Sequence, residues 1–239
     1  MIDYEETKSQ PITRMMVWRA YGRVKANKGG SGIDNMSWEY LEKHQYAELD
    51  KLWNRLTSGS YFPQAVKQVA IPKKGGGERM LGIPTLLDRI AQEVVRVHLE
   101  RKVEPLFHHS SFGYRPRRNC HQAVKQACSN SINHDYAIDL DIRGFFDNID
   151  HELMMKAVEH YCPDKWVLLY VERWLKADVL RKEGIVASTQ GTPQGGLCIT
   201  MHKPPCGKAQ KCYPKSYDFL RFTVRHEELY EGRLSHTVP

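Results

Sequence analysis

Apolar residues recur at helical spacing through most of the chain, and short glycine- or proline-containing breaks separate the stretches. This pattern predicts a helix over residues 12–28, which Gly29 stops, and then one continuous helix from Ser37, a plausible N-cap, to a Ser-Gly-Ser turn at 58–60. A further helix is predicted to open at Thr85 and end at Pro105. Three shorter helices are predicted after Asn119, after Asp150 and over 166–175.

Two stretches carry the pattern of strands instead. Residues 65–85 contain two β-type runs around the glycines at 75–77, which predicts a hairpin with basic residues near its tip. In the run from Tyr136 to Ile142, apolar side chains alternate with Asp139 and Asp141, so the two carboxylates share one face of a predicted strand. Residues 184–196 are rich in turn formers. Helices with antiparallel strands predict the α+β class.

Composition narrows the class of protein. The chain has 239 residues, 41% of them hydrophobic, which is enough for a sizeable core without disulfides, so the six cysteines are expected to be reduced thiols. No apolar run approaches membrane-spanning length and the N-terminus lacks a signal-peptide pattern, so a cytoplasmic protein with no membrane partner is predicted. The net charge of +7 permits a polyanionic partner.

Carboxylates are concentrated in the segment DLDIRGFFDNIDH at residues 139–151. Hard oxygen ligands at a strand end suit Mg²⁺, which could assist phosphoryl transfer, and Asp141 is the strongest candidate. Asp147 and Asp150 have the alternative roles of turn residue and helix cap. Paired carboxylates of this kind also occur in nucleotide-sugar transferases, so the short motif does not decide the reaction.

Three basic or glycine-rich segments add candidate ligand-binding residues. Lys73 and Arg79 flank the hairpin tip and could converge on a triphosphate, although a solvated turn is the alternative. Gln194 lies in the GTPQGG turn, where glycines allow a ligand to approach the backbone. Arg115 lies in an aromatic and arginine-rich stretch that could follow a nucleic-acid backbone.

The order of these segments is more specific than any one of them. Five blocks occur in the order KANKGGSGID, IPKKGGGERMLGIPTLLDRIAQ, SFGYRPRRNCHQA, DLDIRGFFDNIDH and GTPQGG. Over residues 10–196 the chain resembles the bacterial group II intron reverse transcriptases, also called maturases. The resemblance implies the fingers and part of the palm of a right-hand polymerase, with an antiparallel palm sheet. It also implies RNA-directed DNA synthesis.

The resemblance assigns roles to the matching positions. Asp141 and the backbone carbonyl of Ile142 would bind Mg²⁺, and Lys73 with Arg79 would hold the incoming triphosphate. Further substrate contacts are implied at the nucleotide sugar for Phe146 and Gln194, and along the template path for Arg115. The implied partners are an intron RNA template, a DNA primer and deoxynucleoside triphosphates; the oligomeric state is left open.

The family pattern breaks after Gly196. The Tyr-Ala-Asp-Asp block and the thumb that follow in the family are not found in the remaining residues, whose cysteines and histidine lack zinc-finger spacing. We therefore expect N-terminal helices and fingers over 1–135, a partial palm over 136–197 and a divergent, frameshifted or poorly ordered tail over 198–239. Polymerase activity is expected to be absent or very weak in this chain. The alternatives are a non-catalytic maturase-like RNA-binding remnant and a gene remnant that barely folds.

Overall fold

The computed structural model describes residues 6–27, 29–72, 76–132 and 144–192. Its helices, in chain order, are α1 (Arg14–Ala26), α2 (Trp38–Lys43), α3 (Gln45–Ser58), α4 (Leu86–Val103), α5 (Cys120–Ser131), α6 (His151–Tyr161) and α7 (Lys165–Leu175). Single turns of 3₁₀ helix occupy Glu104–Leu106 and Phe146–Asn148. The strands are β1 (Val66–Pro72), β2 (Glu78–Ile83), β3 (Val179–Arg181) and β4 (Gly184–Val186). The α+β prediction is confirmed.

The predicted helix starts are confirmed by their caps. The Ser37 hydroxyl accepts a hydrogen bond from the Tyr40 amide at 3.1 Å, and Thr85 accepts from the Asp88 amide at the same distance. Asn119 forms a reciprocal capping box with Gln122. Each of these side chains satisfies an amide that the first helical turn leaves without a backbone partner.

The prediction of one continuous helix over 38–58 is wrong, because the helix breaks at His44. The His44 backbone leaves helical geometry (φ −111°, ψ 17°), and its ring Nδ1 lies 3.0 Å from the Tyr40 carbonyl oxygen. Apolar periodicity does not detect this break. Buried Leu41 and Leu49 lie eight positions apart, a spacing that also suits an unbroken helix.

The four strands form one sheet in the order β2-β1-β3-β4. The predicted hairpin is confirmed, with Ile71 of β1 opposite Arg79 of β2. The hairpin of β3 and β4 falls partly in the segment predicted only as turn-rich, and three-residue strands are too short to show an alternating pattern. β3 runs parallel to β1, so this sheet is mixed. The strand predicted over 136–142 lies outside the described residues, and the predicted antiparallel palm sheet stays a prediction.

The core lies among α1, α3, α4 and α7. Trp53 is buried in this core, and its indole Nε1 donates to the Ile12 carbonyl at 2.9 Å. The Tyr170 hydroxyl donates to the Leu56 carbonyl, which ties α7 to the end of α3. A buried Tyr61 hydroxyl donates to Asp88, and burial raises the pKa of both groups. Nowhere in the described ranges is a helix both long and apolar enough to cross a membrane.

Candidate functional site

Two of the sequence blocks meet at the turn formed by residues 144–150. The Gly191 amide donates to the Ile149 carbonyl at 2.8 Å, and the Thr192 amide donates to the Phe146 carbonyl at the same distance. Nε2 of His151 lies 2.6 Å from the Gly191 carbonyl oxygen. Because that oxygen can only accept, Nε2 must carry the proton. These bonds hold the start of the GTPQGG segment against the end of the aspartate-rich segment.

Only glycine fits at the centre of this contact. Gly191 has φ +77°, and a Cβ at that position would lie 2.7 Å from the Asp147 carbonyl oxygen and 2.9 Å from that of Phe146. Both the left-handed backbone and the close approach therefore require the missing side chain. The sequence suggested that glycines of this segment allow a ligand to approach the backbone; in the structure the backbone of the 144–150 turn lies against Gly191, and approach of a ligand stays a prediction.

The polar residues of the 144–150 turn have structural roles. Asp150 accepts from the Leu153 amide at 2.9 Å and so caps α6, which confirms the alternative considered for it. Asp147 is exposed within the 3₁₀ turn. Phe146 is half-buried, and its ring meets that of Phe145 edge-on at 5.5 Å. The backbone carbonyl of Phe146 accepts from Thr192 in this contact.

The predicted triphosphate residues belong to the β1–β2 hairpin. Arg79 is exposed on β2, two positions after Gly77, whose φ of +79° forms part of the turn. Its guanidinium is therefore available to an anionic ligand. Lys73 lies outside the described residues, as do Asp141, Ile142 and Gln194, so their predicted roles stay predictions.

Arg115 has internal partners. Its guanidinium forms an ion pair of 2.8 Å with Glu104 and donates to the carbonyls of His108 and Ser111 at 2.9 and 2.8 Å. Only 8% of the side chain is exposed. Arg115 therefore holds the loop of residues 107–119 in shape, and its predicted contact with a template stays a prediction.

The 107–119 loop exposes Tyr114 and Arg117 to solvent, whereas the Arg115 side chain is largely buried. Tyr114 and Arg117 have left-handed backbones, with φ of 54° and 59°, and the Tyr114 side chain is 95% exposed. Arg118 donates to the His109 carbonyl at 3.1 Å. Left-handed geometry costs free energy at residues other than glycine. The Arg115 bonds maintain it here, with an aromatic ring and a cation facing solvent.

The first block, KANKGGSGID, supports the base of the β1–β2 hairpin. Arg89 of α4 donates to the carbonyls of Gly30 and of Pro84, the latter at 3.1 Å. Gly32 packs so closely on Thr85 that a Cβ would lie 2.6 Å from the Thr85 Cα. Sequence reasoning gave no role to Arg89 or His151, although both lie inside the quoted blocks, because a basic side chain in a motif does not show which distant backbone carbonyl it will meet. The glycines of the first block were the available signal.

Four of the five sequence blocks lie in a range that matches a known family. The profile described as reverse transcriptase (RNA-dependent DNA polymerase) matches residues 71–198, more than half of the chain. The chain belongs to the reverse transcriptase family. The matched range includes every site residue predicted from the sequence. Membership in the reverse transcriptase family implies dependence on a divalent metal.

Individual relatives confirm the resemblance to group II intron proteins. The group II intron-encoded protein LtrA of Lactococcus lactis subsp. cremoris is 35% identical over 182 residues, which cover 74% of this chain and 30% of LtrA. Protein YkfC of Escherichia coli is 33% identical over 172 residues, 70% of this chain and 45% of YkfC. This reverse transcriptase chain thus spans less than half the length of these relatives.

Among solved structures, a partial Cas6-RT-Cas1–Cas2 complex is similar to the chain with a TM-score of 0.49 and 20% identity. The similarity covers 79% of this chain and 31% of the matched chain.

Proposed function

We propose that this chain is a fragment of a group II intron-type reverse transcriptase that binds a deoxynucleoside triphosphate and is inactive in DNA synthesis by itself. The observation that carries the proposal is the docking of Gly191 and Thr192 on the Phe146 turn, in a chain of the reverse transcriptase family. Residues 1–135 supply helices and fingers, residues 136–197 part of the palm, and residues 198–239 a divergent tail.

Two groups of side chains bind different parts of the nucleotide. Lys73 and exposed Arg79, at the hairpin tip, bind the triphosphate; Lys73 acts as a point charge and Arg79 as a bidentate fork. Phe146 excludes a ribose 2′-hydroxyl by its bulk, and Gln194, two residues beyond Thr192, contacts the sugar. The docking bonds support this pairing because they join the segments that carry Phe146 and Gln194.

The donor set near the start of the aspartate-rich segment suits one Mg²⁺ ion. The Asp141 carboxylate and the Ile142 carbonyl are hard oxygen ligands of the kind Mg²⁺ prefers. In the complete reaction, bound Mg²⁺ supplies charge stabilisation for attack of a primer 3′-hydroxyl on the α-phosphate. The chain has no Asp-Asp pair. One aspartate does not fix the two ions this reaction uses, so template-directed synthesis is absent.

A nucleotide titration tests binding separately from synthesis. We expect a fluorescent deoxynucleoside triphosphate to bind the full chain in the presence of Mg²⁺ and to bind Arg79→Gln at least about tenfold more weakly, the loss of a charge-assisted pair. Arg181→Gln is the matched control, because Arg181 is also exposed and lies in the same sheet. Equal binding by the two variants would refute the triphosphate role of Arg79.

Primer extension tests the proposed inactivity. With RNA template, DNA primer, deoxynucleotides and Mg²⁺, we expect no template-dependent incorporation by the full chain. Incorporation that disappears in Asp141→Ala would show that the chain is an active polymerase.

The second candidate function is non-catalytic binding of intron RNA. It is favoured by the 107–119 loop, in which exposed Tyr114 and Arg117 offer a stacking surface and a cation, and by the net charge of +7. Filter binding to a group II intron RNA should weaken steeply as salt is raised, because phosphate contacts release counterions. Absence of binding at low salt would eliminate this function.

A further inference from the structure

A cluster of chemically reactive side chains joins α4 to the turn between α6 and α7, away from the blocks described above. The Asp164 carboxylate oxygen Oδ2 lies 2.6 Å from Nε2 of His98 and 2.6 Å from Nζ of Lys102. The Sγ of buried Cys162 lies 3.4 Å from the same oxygen. One carboxylate oxygen therefore has an imidazole, a thiol and an ammonium group around it.

We propose that His98, Cys162 and Asp164 form a binding site for a divalent transition-metal ion of the zinc class. Their ligand atoms all lie within 4.8 Å of one another. Imidazole nitrogen, thiolate sulfur and carboxylate oxygen are the donor types that Zn²⁺ takes in proteins, and water completes a four-coordinate site. None of the three residues belongs to the five sequence blocks.

To accept an ion, the three ligand atoms, which lie within 4.8 Å of one another, must move toward a common centre. Ligands at zinc bond lengths of about 2.0–2.3 Å around a tetrahedron are separated by roughly 3.3–3.7 Å. The sulfur–oxygen distance of 3.4 Å already lies in that range, and the nitrogen–oxygen distance of 2.6 Å must lengthen. Side chains of His98 and Asp164 are about one-third exposed, which gives both room to move and a path for the ion.

The surroundings orient the ligands. The His98 ring packs edge-on against Trp166, with centroids 4.8 Å apart, and this contact fixes the plane of the imidazole. Hydrogen bonds from Lys102 and His98 lower the pKa of Asp164 to about 2, so the carboxylate is ionised at neutral pH. Both features leave the ligands ordered before an ion arrives.

Lys102 is the competitor for the site, because its ammonium contacts the oxygen that the ion would bind. When the ion binds, Lys102 remains protonated and moves toward solvent, which its 35% exposure permits. The thiol S–H bond breaks, a sulfur–metal bond forms and the proton passes to water. The proton that His98 carries on Nε2 in the unbound site passes to water, and the neutral imidazole holds its one proton on Nδ1, so that the Nε2 lone pair is free for the metal. There is no change of oxidation state.

Titration with Co²⁺ reports on a thiolate ligand directly, through its sulfur-to-cobalt charge-transfer absorption. We would use the full chain with Cys120, Cys128, Cys198, Cys206 and Cys212 changed to serine, so that Cys162 is the sole thiol. One equivalent of Co²⁺ should produce the band and Zn²⁺ should displace it. His98→Gln and Asp164→Asn should each weaken binding by about tenfold or more, whereas His160→Gln, an exposed control on α6, should not.

Lys102→Met distinguishes a metal site from an ion-paired clamp between helices. If the ammonium competes with the metal, the variant should bind Co²⁺ several-fold more tightly, and one equivalent of Zn²⁺ should raise its melting temperature. Circular dichroism establishes that each variant is folded. No charge-transfer band in either the sole-thiol chain or its Lys102→Met derivative, or a band unchanged by His98→Gln, would overturn the proposal.

Discussion

The helical body, formed by α1, α3, α4 and α7, and the segment of residues 104–132 are stabilised in different ways. In the body, α3, α4 and α7 each bury several large side chains, among them Trp53, Ile90 and Tyr170. In the other segment, α5 has no buried residue and exposes Val124. The bonds of Arg115 to Glu104 and to backbone carbonyls hold the adjoining loop instead. Stability thus comes from apolar burial in the body and from one polar network in the segment that presents Tyr114.

The largest effect should come from the body. Trp53→Ala removes a buried indole, its bond to the Ile12 carbonyl and its stacking with the Arg14 guanidinium, which lies 3.6 Å from the ring centroid. We expect the free energy of unfolding in urea to fall by about 3–5 kcal/mol. Val124→Ala on α5 is the counterpart and should change it by less than about 0.5 kcal/mol. Similar losses in the two variants would mean that α5 is buried in solution.

Alkaline pH should lower the stability of the chain mainly through a group in the helical body. Burial raises the pKa of Tyr170 to about 12. The unfolded chain releases this proton near pH 10, so ionisation favours the unfolded state first and stability falls between pH 10 and 12. About two pKa units correspond to a loss of about 2–3 kcal/mol at the upper limit. Urea unfolding of wild type and Tyr170→Phe at pH 9 and 11 measures this loss. The free energy of unfolding should fall less in the variant than in wild type.

A smaller loss of stability is expected from a substitution where the GTPQGG segment contacts the 144–150 turn. Gly191→Ala places a Cβ against the Asp147 carbonyl in a left-handed backbone and should cost about 1–3 kcal/mol. Hydrogen exchange at Thr192 should accelerate with it. Gly113→Ala is the control, since a Cβ there has no atom within 4 Å. Unchanged exchange in Gly191→Ala would mean that the 144–150 turn and the GTPQGG segment are not docked.

The smallest expected effects distinguish a structural role of Arg115 from an RNA-binding role of Arg117. Arg115→Ala should destabilise the chain by about 1–2 kcal/mol, because it leaves the Glu104 carboxylate without its guanidinium partner. Arg117→Gln should leave unfolding unchanged and reduce the salt slope of RNA binding by about one. The opposite pattern, with Arg115 changing only the salt slope, would support the template contact predicted for Arg115 from the sequence.

Local signals predicted much of the fold. Caps at Ser37, Thr85 and Asn119 and the β1–β2 hairpin follow from neighbouring residues, whose spacing and hydrogen-bonding groups are visible in the chain. The break at His44 and the parallel pairing of β3 with β1 were not predicted. A single non-helical residue leaves apolar periodicity intact, and Val66 and Val179 are paired across more than a hundred positions.

The candidate site was likewise predicted only where local sequence carries the signal. Motif order identified the blocks, and the structure joins two of them through backbone hydrogen bonds at Gly191 and Thr192, which depend on tertiary packing. Arg115 illustrates the limit of motif reasoning: an arginine in a functional block can be required for the shape of a loop. His98 and Cys162, far apart in sequence, carry no motif and meet only in the folded chain.

The nucleotide preference of the full chain tests the proposed site most directly. We would measure competition by dATP and ATP for the bound fluorescent deoxynucleotide, with Mg²⁺, in wild type and in Phe146→Ala. Wild type should prefer dATP by about tenfold or more, since a clash with the 2′-hydroxyl costs upward of about 1.4 kcal/mol. Phe146→Ala should bind the two equally while keeping its affinity for dATP. No preference in wild type, or the same preference in both proteins, would contradict a deoxynucleotide site formed at Phe146.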